Sequence, residues 1–300
     1  MRRLAGFALA LVVSSWSLPP GPADGSSVAG AGAPAETGQR YREYVALGDS
    51  WTAGIQTSTP PSTTGRTPRG CQQSGANYPR QVADALGVTR FRDASCVGAS
   101  TRHLRRPQWV DGERNPPQLD RLRRTTDLVT LGIGVNNSRL FAAIGRCMTR
   151  FALGSCRSNY VRAGVDEMSE AIAATLPRLA AAIDGIRARA PRARVLVVNY
   201  LNGLPADGSS CSGISRSDMR WFQARFLQLN GMLARAARRK GVELVDTYRL
   251  SLGRDMCQAP TVRFVDGLVP LSSGGVGQRF HPNQRGADAQ ARIVLRAVRR

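Results

Sequence analysis

An α/β fold with a mainly parallel, five-stranded sheet is predicted by two observations. Five short candidate strands, most of them apolar runs, punctuate the chain, and long stretches between them carry apolar residues at spacings of three and four. At 300 residues and 42% hydrophobic content the chain can fill a sizeable core, so disorder of the whole is excluded.

The first strand is expected at 44–47, ending at Gly48, and the second at 89–94. A third, "DLVTL" at 127–131, ends at Gly132, and "RVLVVNY" at 194–200 and "VELVDTY" at 242–248 supply the fourth and fifth. Val161, Val165, Met168, Ile172, Leu176, Leu179, Ile183 and Ile186 predict one helix, with Pro177 as a kink or restart. Phe222, Phe226, Leu229, Leu233 and Ala236 predict another, opened by a capping box of Ser215 with Asp218 and stopped at Gly241. A last helix should follow His281. Helices alternating with strands predict a parallel sheet covered on both faces. Neither a repeat nor a second-domain linker is evident, so 41–300 reads as a single domain.

The N-terminus carries Met1-Arg2-Arg3 and then an apolar stretch from Leu4 to Val13, too short for the roughly 20 residues that cross a bilayer. It reads as an export signal over about 1–33, with Ala29-Gly30-Ala31 and Ala31-Gly32-Ala33 as cleavage points and 34–40 as a loose leader. A hydrophobic first helix of a cytosolic protein is the other reading. Cys71, Cys96, Cys147, Cys156, Cys211 and Cys257 include no C-x-x-C pair and stand apart from clustered histidines, which disfavours zinc and favours disulfides of an exported protein over buried thiols. Order along the chain suggests Cys71 with Cys96, Cys147 with Cys156 and Cys211 with Cys257. The net charge is +21, and all 42 basic residues except Lys240 are arginine, which has the look of a GC-rich genome's imprint. Separate short arginine runs without interleaved aromatics are unlike a nucleic-acid stacking platform and read as a solvated face, with a nucleic-acid binder resting on charge alone as the weaker reading, and the charge should attract anionic surfaces.

In such a sheet the reacting groups gather at the carboxyl ends of strands, where strand order reverses. Ser50 follows the first strand in "EYVALGDSWTAG", Gly98 the second in "CVGAST", and Asn136 the third in "GIGVNNS". His281 lies in "RFHPNQRGADAQ" ahead of the last helix. The chain has two histidines; His103, among arginines, reads as a surface residue, so His281 is the better base for a serine nucleophile.

Gly48-Asp49-Ser50, Gly98, Gly134-Val135-Asn136 and His281-Pro282-Asn283, in that order, resemble the SGNH (GDSL-type) hydrolases over about 44–291. "YVALGDSWTAG", "NYPRQVADALG" and the cysteine placement are similar to the secreted actinobacterial branch. The resemblance implies a flavodoxin-like three-layer α/β/α sandwich without metal or organic cofactor. It implies Ser50 as nucleophile and His281 as base, with an oxyanion hole from the N–H groups of Ser50 and Gly98 and the side-chain amide of Asn136. Asp49 is expected to hold the turn, and Trp51 to pack. Asn136 as a mere helix cap and His281 as a satisfied loop residue are the bland alternatives.

Two positions depart from the family pattern. Asn137 stands where the family has Asp, and Gln278 stands where it has the Asp that orients the histidine. A dyad then requires a backbone carbonyl on Nδ1, and Gln278 is the expected source; Asp255 and Asp266 are the rival acids, while Asp288 should point away. The expectation is a secreted, monomeric serine ester hydrolase acting through an acyl-enzyme on lipid or phospholipid esters. Acetylated carbohydrate, acyl transfer, and a non-catalytic protein binding anionic cell-surface material are the alternatives.

Overall fold

The computed structural model describes residues 41–55, 70–149, 155–269 and 278–300. The expected export signal and leader lie outside the described residues, as do 56–69, 150–154 and 270–277. Five strands form one sheet: β1 (Glu43–Gly48), β2 (Arg90–Asp93), β3 (Leu128–Gly132), β4 (Arg194–Val198) and β5 (Glu243–Val245). Their spatial order is 2-1-3-4-5 and every pairing is parallel. Strand order therefore reverses between β1 and β3.

Strand alternation divides the core into two layers. Tyr44, Ala46, Leu128, Leu196 and Val198 pack with residues of α2 (Tyr78–Leu86) and α7 (Gln284–Val298). Val45, Leu47, Val129, Leu131, Val195 and Val197 pack on the opposite side with α5 (Glu167–Arg189) and α6 (Arg216–Lys240). Burial on both faces explains the near-continuous apolar runs of the inner strands β1, β3 and β4, and the result is a three-layer sandwich. Three short helices, α1 (Ser50–Ala53), α3 (Val135–Ser138) and α4 (Leu140–Thr149), complete the sandwich at the carboxyl edge of β1 and β3.

Local signals set most boundaries. Ser215 accepts the Asp218 N–H at 3.1 Å, and Gly241 closes α6 with φ at 54°. One boundary is corrected: the helix does not begin at Val161. Val161–Arg162 and Val165–Asp166 form a small hairpin around Ala163 and Gly164, both at positive φ, and Asp166 then caps α5 through the Ser169 N–H. The apolar spacing ran through a turn that local chemistry had already punctuated. No restart occurs at Pro177, which lies inside a continuous α5. The three disulfides join Cys71 with Cys96, Cys147 with Cys156, and Cys211 with Cys257, as chain order suggests.

Candidate active site

Ser50 sits where β1 breaks into α1. The Gln118 side chain grips the end of the strand from both sides, accepting the Gly48 N–H at 2.9 Å and donating to its carbonyl at 2.8 Å. A Cβ at Gly48 would lie 2.2 Å from Thr52 Oγ1, so only glycine fits. Asp49 is fully buried and caps α1 by accepting the Trp51 N–H at 3.0 Å, the turn-holding role expected of it. Burial pushes its carboxyl up to about 7, against the pull of bonds from Tyr200, Trp51 and Gly134. Trp51 is buried and packs on Phe141 at 5.2 Å and Tyr200 at 5.3 Å, as a packing residue should.

His281 reaches this strand end from the other end of the chain. Its Nε2 lies 2.7 Å from Ser50 Oγ. Asn283 caps α7 through the Gly286 N–H, and the Asp266 N–H and Phe280 N–H exchange bonds with the carbonyls of His281 and Asp266, which pins the loop. The Nδ1 partner corrects an expectation: it is the carbonyl of Arg279 at 2.8 Å, not that of Gln278. Phe280, between Arg279 and His281, has φ at 63°, and this left-handed residue folds the chain so that the carbonyl two positions back meets the ring. A carbonyl only accepts, so Nδ1 carries the proton and Nε2 presents its lone pair to the serine hydroxyl. His281 keeps partial solvent exposure, yet burial lowers its pKa to about 4, outweighing the Arg279 bond that favours the charged ring.

The remaining expected residues stand on loops leaving neighbouring strands. Gly98 follows β2 with φ at 69°, and Asn136 lies in the first turn of α3 rather than capping it from outside. Asn136 spends one amide N–H on the Ala99 carbonyl at 2.9 Å. Among the described residues the N–H groups of Ser50 and Gly98 enter no hydrogen bond, the resting condition an oxyanion donor needs. Asn137 exchanges two bonds with Thr101, Oδ1 accepting its N–H at 3.1 Å and Nδ2 donating to its hydroxyl at 2.8 Å. Where the family has a charge, this chain ties two site loops together.

The rival acids are occupied elsewhere. Asp255 accepts from the Cys257 N–H and Gln258, Asp266 from Arg263, and Asp288 from Gln81 and Gln284. His103 corrects its surface reading. It is half-buried, its Nδ1 accepts the Ser100 N–H at 3.0 Å, and burial followed by the Arg102 charge lowers its pKa. Sequence reasoning also missed Tyr200. Its buried hydroxyl donates to Asp49 at 2.6 Å and accepts the Val135 N–H at 2.9 Å, linking α1 to α3. The only hint was a tyrosine just past an apolar strand, which is too common to single out.

The model of the GDSL-like lipase/acylhydrolase family matches residues 46–289. Lipase 2 of Streptomyces coelicolor is 36% identical over 255 residues, covering 79% of this chain and 82% of that protein. A lipase of Streptomyces rimosus is 28% identical over 81% of this chain and 82% of its own length. The crystal structure of phospholipase A1 from Streptomyces albidoflavus superposes with a TM-score of 0.69 at 22% identity, covering 87% of this chain and all (100%) of that one. At that identity the superposition establishes the shared fold. By the family match over most of its length, together with the S. coelicolor relative, the chain belongs to the GDSL-like lipase/acylhydrolase family and is a carboxylic ester hydrolase.

Proposed function

We propose that the protein hydrolyses lipid esters through a Ser50–His281 dyad and an acyl-enzyme. The observation that carries this reading is the neutral imidazole 2.7 Å from Ser50 Oγ with its other nitrogen held by the Arg279 carbonyl. Ser50 Oγ attacks the ester carbonyl carbon while its proton passes to Nε2. The oxyanion is met by the N–H groups of Ser50 and Gly98 and the free amide N–H of Asn136. Collapse breaks the carbon–oxygen bond to the alcohol, which leaves with the proton from Nε2. Water, deprotonated by the same nitrogen, then attacks the acyl group, and Ser50 recovers its proton as the carboxylic acid departs. The Arg279 carbonyl fixes the tautomer by accepting the Nδ1–H hydrogen bond throughout, so no carboxylate is needed.

Relatives named lipase, a structural neighbour named phospholipase A1 and the +21 charge favour lipid esters, phospholipids among them. Three disulfides and the N-terminal sequence favour work outside the cell, in an oxidising compartment. The test is turnover of p-nitrophenyl esters from acetyl to palmitoyl, and fatty-acid release from phospholipid micelles, by the parent and by Ser50→Ala. Turnover of the longer chains that vanishes in Ser50→Ala supports the reading. Activity confined to acetyl esters would move the substrate to acetylated carbohydrate, and equal turnover by the variant would remove Ser50 from the chemistry.

A further inference from the structure

Past the oxyanion loop the chain builds a cavity of about 500 Å³ lined by Thr101, Arg102, Arg105, Arg106, Arg178 and Ala181. None of these residues is acidic, and among the described residues none of the four arginines pairs with a carboxylate. Arg105 is fixed by donating to the Ala181 carbonyl at 2.7 Å, and the other three guanidinium groups stand on exposed residues. Four like charges around one concavity repel one another, and the low-dielectric walls focus their field outward. A phosphoryl group relieves that repulsion and matches the guanidinium fork geometrically.

A second feature lies three residues further along. Residues Gln108–Val110 and Glu113–Asn115 form an antiparallel hairpin in which Gln108 turns inward while Trp109 is 69% exposed. Its cross-strand neighbour is Arg114, also exposed, so an indole and a guanidinium share the outer face. Indole is the side chain best suited to a boundary between headgroups and acyl chains. The turn carries Asp111, and Glu113 opens the second strand opposite Val110, so the cavity's arginines rather than the hairpin supply the attraction for anions.

We propose that the arginine cavity and Trp109 together dock the protein on an anionic lipid surface, the cavity taking headgroup phosphates and the indole entering the interface. The surface begins beside the site: Thr101 is three residues past Gly98, at most about 11 Å of chain, and its bonds to Asn137 tie it to α3. Docking there holds the ester-binding edge against its substrate. The proposal takes its partner from the lipid-ester reading, and a binding measurement separates the two: failure of that reading shows as absent ester turnover, failure of this one as unchanged vesicle affinity.

The test is co-sedimentation of the chain carrying Ser50→Ala, which cannot consume the lipid, with vesicles of phosphatidylglycerol and phosphatidylcholine. Arg102→Gln, Arg106→Gln and Arg178→Gln combined should weaken binding about 100-fold, at about fivefold per arginine, and Trp109→Ala by about tenfold. The matched control is Arg249→Gln, Arg296→Gln and Arg300→Gln, which empties a second arginine-lined cavity that also holds Asp246. It should lose far less. Thermal melts equal to the parent's establish that every variant is folded. Equal losses from the two triple variants would reduce the effect to bulk charge and overturn the proposal. So would unchanged vesicle binding in the first triple variant, even if inorganic phosphate alone occupied the cavity in the parent.

Discussion

In the proposed dyad His281 must be neutral to accept the Ser50 proton, and burial favours the neutral ring. Burial lowers its pKa to about 4, so the imidazolium that cannot act as base forms only in acid. The acidic limb of kcat/KM should therefore fall with a midpoint near pH 4, well below the 6.5 of an ordinary histidine; a midpoint at 6.5 would show that the ring is not desolvated as described. His281→Ala should be nearly as damaging as Ser50→Ala, since the two would act as a unit in the proposed dyad. Asp255→Asn and Asp266→Asn, whose carboxylates bond elsewhere, should each cost less than about tenfold in kcat, whereas loss of a true triad acid costs on the order of 10,000-fold. A loss of that larger size in a folded variant would replace the Arg279 carbonyl with a displaced acid. On the proposed oxyanion hole, Asn136→Ala should lower kcat by about 100-fold or more with KM little changed, because one of its three donors would be lost.

At the scale of elements, the site depends on how α1 and α3 are held relative to each other. Tyr200, just past β4, bridges them through Asp49 and the Val135 N–H. Tyr200→Phe keeps the ring packed against Trp51 and removes only the hydroxyl. Two buried groups then lose a partner, at about 1–3 kcal/mol each. The variant should melt lower than the parent and lose kcat more than KM, since Asn136 rides on α3. A lower melting point with kcat intact would make the tyrosine a purely structural residue. Asn283 matters in the same way at the other end of the site, because capping α7 fixes where the residue two positions earlier emerges.

The whole molecule is held by links between distant parts of the chain. The Cys71–Cys96 disulfide ties the segment ahead of α2 to the turn after β2 that leads to Gly98, and the Cys96 N–H bonds the carbonyl of Gly48. Cys71→Ala with Cys96→Ala should cost about 2–4 kcal/mol in denaturant unfolding, a model-dependent figure, and the intact protein should show no titratable thiol when unfolded without reductant. At the opposite edge Glu43 is fully buried. Burial alone would raise its pKa, but bonds from Thr125, Arg90 and Arg92 prevail and lower it from 4.5 to about 2. A carboxyl with a depressed folded pKa contributes stability above about pH 4.5 that disappears as pH falls toward 2. Glu43→Gln should flatten stability over that window, and an unchanged acid slope in the variant would assign the acid sensitivity to other carboxyls.

What the sequence alone determined was whatever depends on neighbours along the chain. Apolar runs marked four of the five strands, capping residues and glycines set the ends of α6, and residue types after the first three strands, with the histidine ahead of the last helix, pointed to Ser50, Gly98, Asn136 and His281. Tertiary structure decided whatever depends on which distant groups share a space. The hairpin ahead of α5 obeys the turn at Ala163-Gly164 over a spacing that fits a helix equally well. The histidine's partner moved from Gln278 to Arg279 because a left-handed φ at Phe280, invisible in a residue that seldom adopts it, redirects one carbonyl. Tyr200 and Gln118 became part of the site because a hydroxyl and an amide buried without water must find partners, and those partners are 151 and 70 residues away in the chain.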